Sequence, residues 1–301
     1  MNELPERILE EPKITLRPIS EGGEKWLYRP IKCLDHGFIY LVDYMGNDDA
    51  VIQAARVSYG SGTQKVSTQE GLIRYLRRNV HTTPSEMVEL KFHCKMPIFV
   101  ARQWIRHRMA NVNEYSGRYS EMLDEFYLPD MEVLKKQSID NKQGRNENLD
   151  PKIQAHVIEL LKAEYEGQYA TYRELLKVDL ARELARIGLS VANYTQWYWK
   201  IDLHNLFHFL RLRLDEHAQY EIRIYAQAMA GIIKDLAPIS FKAFEDYQLY
   251  AITFSKLELD ILSSHGWPME EPKAIEAVKL IENKRERGEF LDKLSKIKFI
   301  I

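Results

Sequence analysis

Cysteine is scarce in this sequence, since the 301 residues include only Cys33 and Cys94. Two cysteines alone cannot form a disulfide framework or a cysteine-based metal site, and so low a content is typical of a reducing compartment. The segment Met1–Lys13 is polar and acidic, unlike a signal peptide. Apolar runs such as Met96–Ala101 are too short to cross a bilayer. We therefore expect a cytoplasmic protein with no membrane partner.

An excess of basic charge is also missing, because 42 lysines and arginines oppose 44 aspartates and glutamates. Proteins that bind nucleic acid polymers in general need such an excess. We therefore expect no nucleic acid polymer as a partner, and any anion site must be a local cluster of arginines or lysines. Hydrophobic residues make up 45% of the chain, which is enough to bury a sizeable core.

Three common catalytic and nucleotide-binding motifs are absent from the sequence. There is no Gly-x-x-x-x-Gly-Lys-Ser/Thr phosphate loop and no Gly-x-Gly-x-x-Gly after a strand. There is also no Gly-x-Ser-x-Gly nucleophile elbow. A nucleotide ligand would therefore have to be bound by arginines and loops of another kind.

The hydrophobic periodicity predicts an α+β fold. Val88–Met96 alternates apolar and polar residues, which predicts a strand, and Phe38–Val42 predicts another. Helical spacing runs through Ile153–Val178, and Asp202 is expected to cap a long helix that reaches Ile233. Two capping signatures predict helix starts: Ser67-Thr68-Gln69-Glu70 precedes a helical pattern, and Thr83-Pro84-Ser85-Glu86 places Pro84 at the first helical position. Further helices are expected at Ala50–Val57 with Asn47 or Asp48 as cap, from Ile98 to Met109 with Pro97 at the start, at Leu180–Leu189 and from Glu270 onwards. A loop is expected at Lys135–Asp150 and a chain break at Gly266-Trp267-Pro268.

The densest polar group of residues lies between Arg102 and Tyr119. Arg102 and Arg106 are four residues apart, so on a helix they share a face and repel unless an anion lies between them. Arginine suits phosphate because its planar group donates two parallel hydrogen bonds. The following loop, Glu114–Arg118, can add backbone N–H groups, a hydroxyl and a guanidinium. The alternative is a solvated basic face with local ion pairs.

Two further groups of residues fall on the predicted long helix. Arg213, His217 and Glu221 are spaced four apart and share a stripe, which by itself favours a row of ion pairs. His204 and His208 have a spacing that can chelate a metal, although Asn205 replaces the glutamate of the His-Glu-x-x-His motif. A metallohydrolase and a non-enzymatic nucleotide- or RNA-binding module therefore stay open as alternatives.

The run Arg106-His107-Arg108, with Asn113-Glu114, Ser116 and Arg118-Tyr119 after it, resembles the Arg-His-Arg-x7-Ser signature of flavin-dependent thymidylate synthases. Other segments resemble this family in the same order: Gly37-Phe38 to Met45-Gly46-Asn47-Asp48, Ala54–Ser58, His81 with Thr83-Pro84 and Glu86, Pro97–Trp104, and Leu212-Arg213 with His217-Ala218-Gln219. The resemblance covers about residues 34–245. It implies the family's α+β fold, a small sheet with many helices including a long central helix.

The resemblance also implies the reaction and its partners. The family converts dUMP to dTMP with 5,10-methylenetetrahydrofolate as one-carbon donor and FAD-mediated hydride transfer, and it produces tetrahydrofolate. NADPH reduces the flavin, and homotetramers share their sites between subunits. The expected domains are an N-terminal arm outside the core (1–32), a catalytic domain (33–250, with a polar insertion at about 135–150) and a C-terminal helical extension (251–301).

Site residues follow from the positions that match the family's motifs. The resemblance implies that FAD is contacted by Ser58, His81, Thr83, Glu86, Arg106, His107, Arg108, Glu114, Asp202, His204 and His208. It implies that dUMP is held by Gln103, Arg106, Glu114, Tyr115, Ser116, Gly117, Arg118, Arg186 and Arg213. Arg213 matches the arginine that contacts the uracil ring and favours its ionised form, so it is the expected catalytic residue. Asp202, His204 and His208 depart from the Asn, Arg and Asn of some members.

Overall fold

The strand predicted from alternating residues lies at the centre of a five-stranded antiparallel sheet. The computed structural model describes residues 19–57, 68–138, 144–265 and 271–297. Its strands are β1 (Ile31–Cys33), β2 (Gly37–Met45), β3 (Glu89–Pro97), β4 (Asn111–Glu114), β5 (Lys135–Gln137), β6 (Arg145–Asn148) and β7 (Tyr194–Asp202). The sheet order is β1-β2-β3-β7-β4, and β5 and β6 form a separate pair. Val88 and the apolar residues of β3 are fully buried, which confirms the alternation.

Helices surround this sheet and complete the α+β class that the periodicity predicted. They are α1 (Glu21–Glu24), α2 (Asp48–Val57), α3 (Gln69–Arg78), α4 (Thr83–Glu86), α5 (Ile98–Trp104), α6 (Pro151–Lys177), α7 (Arg182–Ala185), α8 (Leu203–Arg213), α9 (Tyr220–Leu236), α10 (Pro238–Phe244), α11 (Lys256–His265), α12 (Glu271–Ala277) and α13 (Lys284–Lys296). In the described ranges, no helix is long and apolar enough to cross a membrane.

Several predicted helix starts are confirmed by their caps. The side chain of Asn47 accepts a hydrogen bond from the backbone of Asp49 at the start of α2, and Thr68 caps α3 in the same way. Asp202 caps α8 by accepting from the Asn205 N–H at 2.9 Å. The capping signature at Thr83 is wrong, because Thr82 occupies the cap position of α4 and makes no side-chain cap bond.

The long helix expected from Asp202 to Ile233 is wrong, because α8 ends at Arg213 and α9 begins at Tyr220. Asp215 lies between them, and its carboxylate accepts a hydrogen bond from the His217 backbone N–H at 2.8 Å. Aspartate favours such turns because its short side chain competes for backbone N–H groups. The break also separates Arg213 from the stripe of ion pairs that continuous helical spacing predicted.

Three other boundaries differ from the expectation. Helix α5 stops at Trp104, and Ile105 and Met109 are 44% and 70% exposed instead of sharing its buried face. The chain turns there because the edge of β7 offers backbone hydrogen bonds to β4. The predicted loop at Lys135–Asp150 contains the β5–β6 hairpin. The described end of the predicted N-terminal arm is not outside the core, because Ser20 is buried and its hydroxyl donates to the Leu236 carbonyl.

The chain divides into two compact units, Met1–Tyr247 and Gln248–Ile301. The second unit has its own core, formed by Ile261, Ala274, Ala277, Val278, Ile281, Phe290 and Leu294. Its expected single helix from Glu270 is two helices, since the Asn283 side chain caps α13 by accepting from two backbone N–H groups. The apolar end at 298–301 and the break at 266–268 lie outside the described residues.

An aromatic cluster in the first unit fixes the elements that carry the predicted site. Trp104 at the end of α5 stacks on Phe209 of α8 with ring centroids 5.1 Å apart, and it also contacts Trp199 and Tyr225. All four side chains are fully buried. Truncation of such a residue to alanine typically costs about 3–5 kcal/mol. The backbone that leaves Trp104 towards residues 106–108 is therefore held against α8.

Candidate active site

Two segments that are about 100 residues apart in sequence meet around a cavity of about 520 Å³. One is the turn after α5, and the other is the exposed side of α8. The cavity is lined by Arg106, His107, Arg108, Met109, Ile201, Asn205, His208, Leu212 and Arg213. Five of these were predicted site residues, so the structure brings together the Arg-His-Arg motif and the helix that carries Arg213. The cavity wall combines three cationic side chains with apolar ones.

A hydrogen bond joins the two segments inside this cavity. Arg213 Nε donates to His107 Nε2 at 3.1 Å, so this imidazole nitrogen must carry a lone pair. Burial lowers the pKa of His107 to about 4, with further lowering by the charge of Arg213 and by His208. His107 is therefore neutral at pH 7. The bond fixes Arg213 through Nε, and the terminal guanidinium nitrogens make no hydrogen bond to the described residues.

The same face of α8 continues from His208 to His204, one turn earlier. Burial lowers the pKa of His204, the charge of Arg77 lowers it further, and Asp202 and Glu86 oppose this shift. His204 Nδ1 is buried and has no hydrogen-bond partner in the described part of the chain, and the same is true of Gln103 Oε1. Such orphaned polar atoms are rare in folded proteins. Their presence here fits a polar ligand that completes their hydrogen bonding.

Arg77 is a residue that the sequence reasoning missed. It lies on α3, its side chain is buried, and Nη2 donates to the Ser85 hydroxyl at 3.1 Å. Its guanidinium also lies 4.6 Å from the centre of the Phe207 ring. Burial lowers the pKa of Arg77 to about 10. Arg77 therefore holds helix α4, which carries Thr83 and Glu86, against α8. In the sequence, the position of Arg77 on the buried side of an amphipathic helix could have indicated this role.

The predicted flavin segment at residues 81–86 lies beside this end of α8. The imidazole ring of His81 packs edge-on against the ring of Tyr75 with centroids 5.8 Å apart. The backbone N–H of His81 donates to the Leu76 carbonyl. Helix α4 directly contacts α8, and Glu86 is close enough to act on the pKa of His204. Of the residues predicted to contact FAD, Glu86 therefore lies near His204 on α8, and Arg106, His107, Arg108 and His208 line the cavity. Ser58 lies outside the described residues.

The second half of the signature lies at the end of β4 and in the loop that follows it. Glu114 accepts a hydrogen bond from the Thr195 hydroxyl at 2.7 Å, and the Tyr115 hydroxyl donates to the Glu121 carbonyl at 2.6 Å. Ser116 Oγ accepts from the backbone N–H of Arg118 at 3.3 Å. These contacts fix the loop Glu114–Arg118 as a tight turn. None of its residues is among those described as lining the cavity.

Arg186 lies against this loop. A β-carbon at Gly117 would lie 3.0 Å from two atoms of the Arg186 side chain and 2.7 Å from Met122 Sδ, so a larger residue would require these two side chains to shift. Arg118 makes an exposed ion pair with Glu183 at 2.9 Å. An exposed pair is worth only about 0–1 kcal/mol, so an incoming anion can displace Glu183. The loop and Arg186 thus bring together two guanidinium groups and a hydroxyl.

The sequence model of the family described as thymidylate synthase complementing protein matches residues 40–239, which include both halves of the signature and Arg213. The chain belongs to the flavin-dependent thymidylate synthase family. It is 57% identical over 248 residues to the flavin-dependent thymidylate synthase of Gluconobacter oxydans, covering 81% of this chain and 82% of the relative. The Dictyostelium discoideum enzyme of the same name is 48% identical over 291 residues, covering 94% and 91%.

A solved structure is similar as well. The UMP/dUMP methylase PolB from Streptomyces cacaoi, bound with 5-Br UMP, superposes with a TM-score of 0.66 at 32% identity. The match covers 73% of this chain and 98% of that one. The family resemblance and the α+β fold inferred from the sequence are therefore confirmed.

The two cysteines of this flavin-dependent thymidylate synthase family member are placed where thiolate chemistry is disfavoured. Both side chains are fully buried. Burial raises the pKa of Cys33 to about 12 and raises the pKa of Cys94 well above its ordinary value. A thiol that cannot ionise is a poor nucleophile. Within the ranges that the structure describes, no group of three or more histidine, cysteine or acidic side chains is arranged to hold a metal ion.

Proposed function

We propose that this chain converts dUMP to dTMP, with 5,10-methylenetetrahydrofolate as one-carbon donor and FAD as the carrier of the hydride, reduced by NADPH. Tetrahydrofolate is the second product. The observation that carries this proposal is the Arg213–His107 bond inside a cationic cavity. Membership of the flavin-dependent thymidylate synthase family supports it. The protein is expected in the cytoplasm.

The residues along α8 fit a flavin nucleotide. The residues proposed to hold it are Ser58, His81, Thr83, Glu86, Arg106, His107, Arg108, Glu114, Asp202, His204 and His208. Arg106 and Arg108 supply positive charge for its phosphates, and the orphaned nitrogen of His204 supplies a hydrogen-bonding position. The carboxylate of Asp202 is engaged in capping α8, so its repulsion of a phosphate is reduced. When bound, FAD supplies the hydride for reduction of the transferred carbon.

Arg213 is the proposed catalytic residue. A thymidylate synthase must increase the reactivity of the pyrimidine ring, and the two buried cysteines cannot do so as thiolates. A guanidinium at the ring edge stabilises developing negative charge instead, a contribution of about 3–4 kcal/mol for one well-placed donor. Neutral His107 keeps the guanidinium oriented because it accepts from Nε without adding a second positive charge.

The loop Glu114–Arg118 and Arg186 are proposed to bind dUMP, together with Gln103, Arg106 and Arg213. Ser116 supplies a hydroxyl, and Gly117 lets the side chain of Arg186 pack closely on the loop because it has no side chain. Arg118 and Arg186 add two guanidinium groups, which suit phosphate through paired hydrogen bonds. Ser116 acts as a ligand in this proposal, not as a nucleophile, because no general base is hydrogen-bonded to its hydroxyl in the described structure.

A homotetramer with sites shared between subunits is proposed from the family resemblance. The loop Glu114–Arg118 is not part of the wall of the cavity that holds Arg213, which agrees with a substrate that is bound by residues of more than one subunit. A partly exposed aromatic patch on the open side of the sheet, with Tyr40, His93 and Tyr198 in contact, supports such packing. Light scattering should give about four chains per particle, and an active monomer would contradict the shared site.

The domains proposed from the sequence are an N-terminal arm at 1–32, whose described end packs on the catalytic domain through Ser20, a catalytic domain at 33–250 and a C-terminal helical extension at 251–301. The division of contacts after Tyr247 supports the second boundary.

The test is the absorbance spectrum of the purified protein, followed by incubation with dUMP, 5,10-methylenetetrahydrofolate and NADPH. The expected result is a yellow protein that forms dTMP. Parallel reactions with UMP test whether the enzyme prefers deoxyribose to ribose in its substrate, since the solved relative is described as a UMP/dUMP methylase. A colourless protein with stoichiometric zinc, or one that binds RNA and forms no dTMP, would support one of the alternatives and contradict the proposal.

A further inference from the structure

The β5–β6 hairpin lies in the polar segment at about 135–150, and it contacts the helix that follows Arg213. Arg145 on β6 donates through Nη2 to both carboxylate oxygens of Glu221, at 2.7 and 2.9 Å. Glu221 is in the first turn of α9, and its side chain is only 3% exposed. The Tyr127 hydroxyl donates to the same carboxylate at 3.1 Å. Glu221 is therefore a buried charge that depends on the hairpin for its ionic partner.

The hairpin is itself anchored, so it can hold Glu221 at a fixed position. Arg145 Nη1 also donates to the Val133 carbonyl at 3.4 Å, just before β5. At the base of the hairpin, the Leu149 N–H donates to the Leu134 carbonyl. The side chain of Gln154, on the first turn of α6, donates to the carbonyls of Met131 and Leu134. Arg145 thus connects a braced hairpin to α9.

Only a short turn separates Glu221 from Arg213. Within residues 214–219, Asp215 accepts from the His217 N–H, and Arg223 donates to the Glu216 carbonyl at 2.6 Å. The first bond lies within the turn, and the second joins the turn to α9. The turn therefore has little conformational freedom of its own. One end of the turn is held by the Arg213–His107 bond, and the other end is held by Arg145 and Tyr127 through Glu221.

We propose that Arg145 is a positioning residue for Arg213, and that it acts through Glu221 and the 214–219 turn. Without Arg145, the buried carboxylate of Glu221 must reach water or become protonated. Either response moves the first turn of α9 and, with it, the end of α8. A displacement of about 1 Å at a catalytic group can reduce a rate by roughly 100-fold. The catalytic consequence rests on the proposed function, but the structural link does not.

The competing interpretation is that Arg145 only stabilises the fold. That interpretation predicts a lower melting temperature for Arg145→Ala. At temperatures below the melting transition, it predicts no change in the position of Arg213. The positioning role predicts a change at His107, whose pKa is held low in part by the charge of Arg213. If Arg213 moves away, the pKa of His107 rises towards its ordinary value near 6.5. This readout requires neither flavin nor substrate.

The experiment compares the parent protein with Arg145→Ala, Arg145→Lys and the control Lys136→Ala. Lys136 lies on the same hairpin and forms an exposed ion pair with Glu147. NMR of protein with carbon-13-labelled histidine follows the His107 titration, which a His107→Gln variant assigns. Single-turnover oxidation of reduced flavin with saturating dUMP and methylenetetrahydrofolate gives the rate, with a KM for dUMP and a thermal melt beside it.

The expected result for Arg145→Ala is a higher pKa of His107 and a rate about 10- to 100-fold lower, with a smaller change in the KM for dUMP. Arg145→Lys should recover part of both effects, and Lys136→Ala should change neither. If Arg145→Ala does not fold, Arg145→Gln takes its place and is expected to show the same effects. The double variant Arg145→Gln, Glu221→Gln leaves no unpaired buried carboxylate and should show smaller effects.

An unchanged His107 titration and an unchanged rate, at temperatures below the melt, would overturn the positioning role even if the melting temperature falls. If the parent protein forms no dTMP, the proposed function fails instead, and the His107 titration still decides whether Arg145 holds Arg213.

Discussion

Replacement of Arg213 by lysine distinguishes a catalytic guanidinium from a structural cation. In the structure, Arg213 Nε donates to His107 Nε2 at 3.1 Å, and the other guanidinium nitrogens face no described hydrogen-bond partner. Lysine keeps the positive charge. It loses the planar group that binds His107 on one side and an acceptor on the other. We therefore expect a large effect on the reaction and a small one on the fold.

The two effects have different magnitudes. Loss of the bond to His107 removes about 0.5–1.5 kcal/mol of stability, which corresponds to a shift of roughly 2–6 °C in the melting temperature. Loss of a directed donor to charge that develops in the transition state costs about 3–4 kcal/mol. That cost corresponds to a rate reduction of roughly 10²- to 10³-fold.

The assay is single-turnover oxidation of the reduced flavin with dUMP and methylenetetrahydrofolate, beside a thermal melt of the same preparation. The control is Arg211→Lys, because Arg211 is exposed on the same helix and is not part of the cavity wall. A slow Arg213→Lys variant with a nearly unchanged melt places Arg213 on the reaction coordinate. A normal rate with a normal melt would refute the catalytic assignment.

Three further predictions follow from the same site. Arg106→Ala should lose bound flavin absorbance and activity while it keeps its fold, whereas the nearby Arg102→Ala should stay yellow. A yellow, active Arg106 variant would contradict the flavin assignment. Replacement of both Cys33 and Cys94 by alanine should leave dUMP methylation largely intact and cost about 1–2 kcal/mol of stability. Loss of methylation in a folded double variant would contradict a reaction that needs no thiol. Because the pKa of His107 is lowered in the fold, the unfolded chain binds a proton more readily. The stability that comes from neutral His107 is therefore fully present above about pH 6.5, and it is lost as the pH falls towards 4. In His107→Gln this part of the pH dependence of stability should disappear. An unaltered pH profile of stability would count against a neutral buried His107.

Much of the fold is predictable from local pattern. The alternation in β3 identifies a strand because one face of the sheet is buried against helices, and the caps at Asn47, Thr68 and Asp202 mark helix starts because their side chains bond to backbone N–H groups. The break after Arg213 was missed since the helical spacing of residues 203–233 continues through it. Only the turn that forms around Asp215 shows that the two halves are separate helices.

The candidate site was also predictable only in part from the sequence. The Arg-His-Arg motif and Arg213 were predicted as functional from the family resemblance, and the structure brings them together around one cavity. The bond between Arg213 and His107 was not predictable, because it joins residues 106 positions apart. Sequence spacing instead favoured a row of ion pairs along Arg213, His217 and Glu221, whereas Glu221 binds Arg145. Arg77 was missed because burial of a charged side chain depends on how α3, α4 and α8 pack.

The most direct test of the central claim is the mass of the dTMP that the purified protein forms in deuterated water. Hydrogen on a reduced flavin nitrogen exchanges with solvent, whereas hydrogen on a folate carbon does not. If the hydride is carried by FAD, dTMP made from unlabelled dUMP, methylenetetrahydrofolate and NADPH gains one carbon-bound deuterium. Formation of dTMP without carbon-bound deuterium, at the same yield, would contradict the account, because the hydride would then come from a carbon that does not exchange.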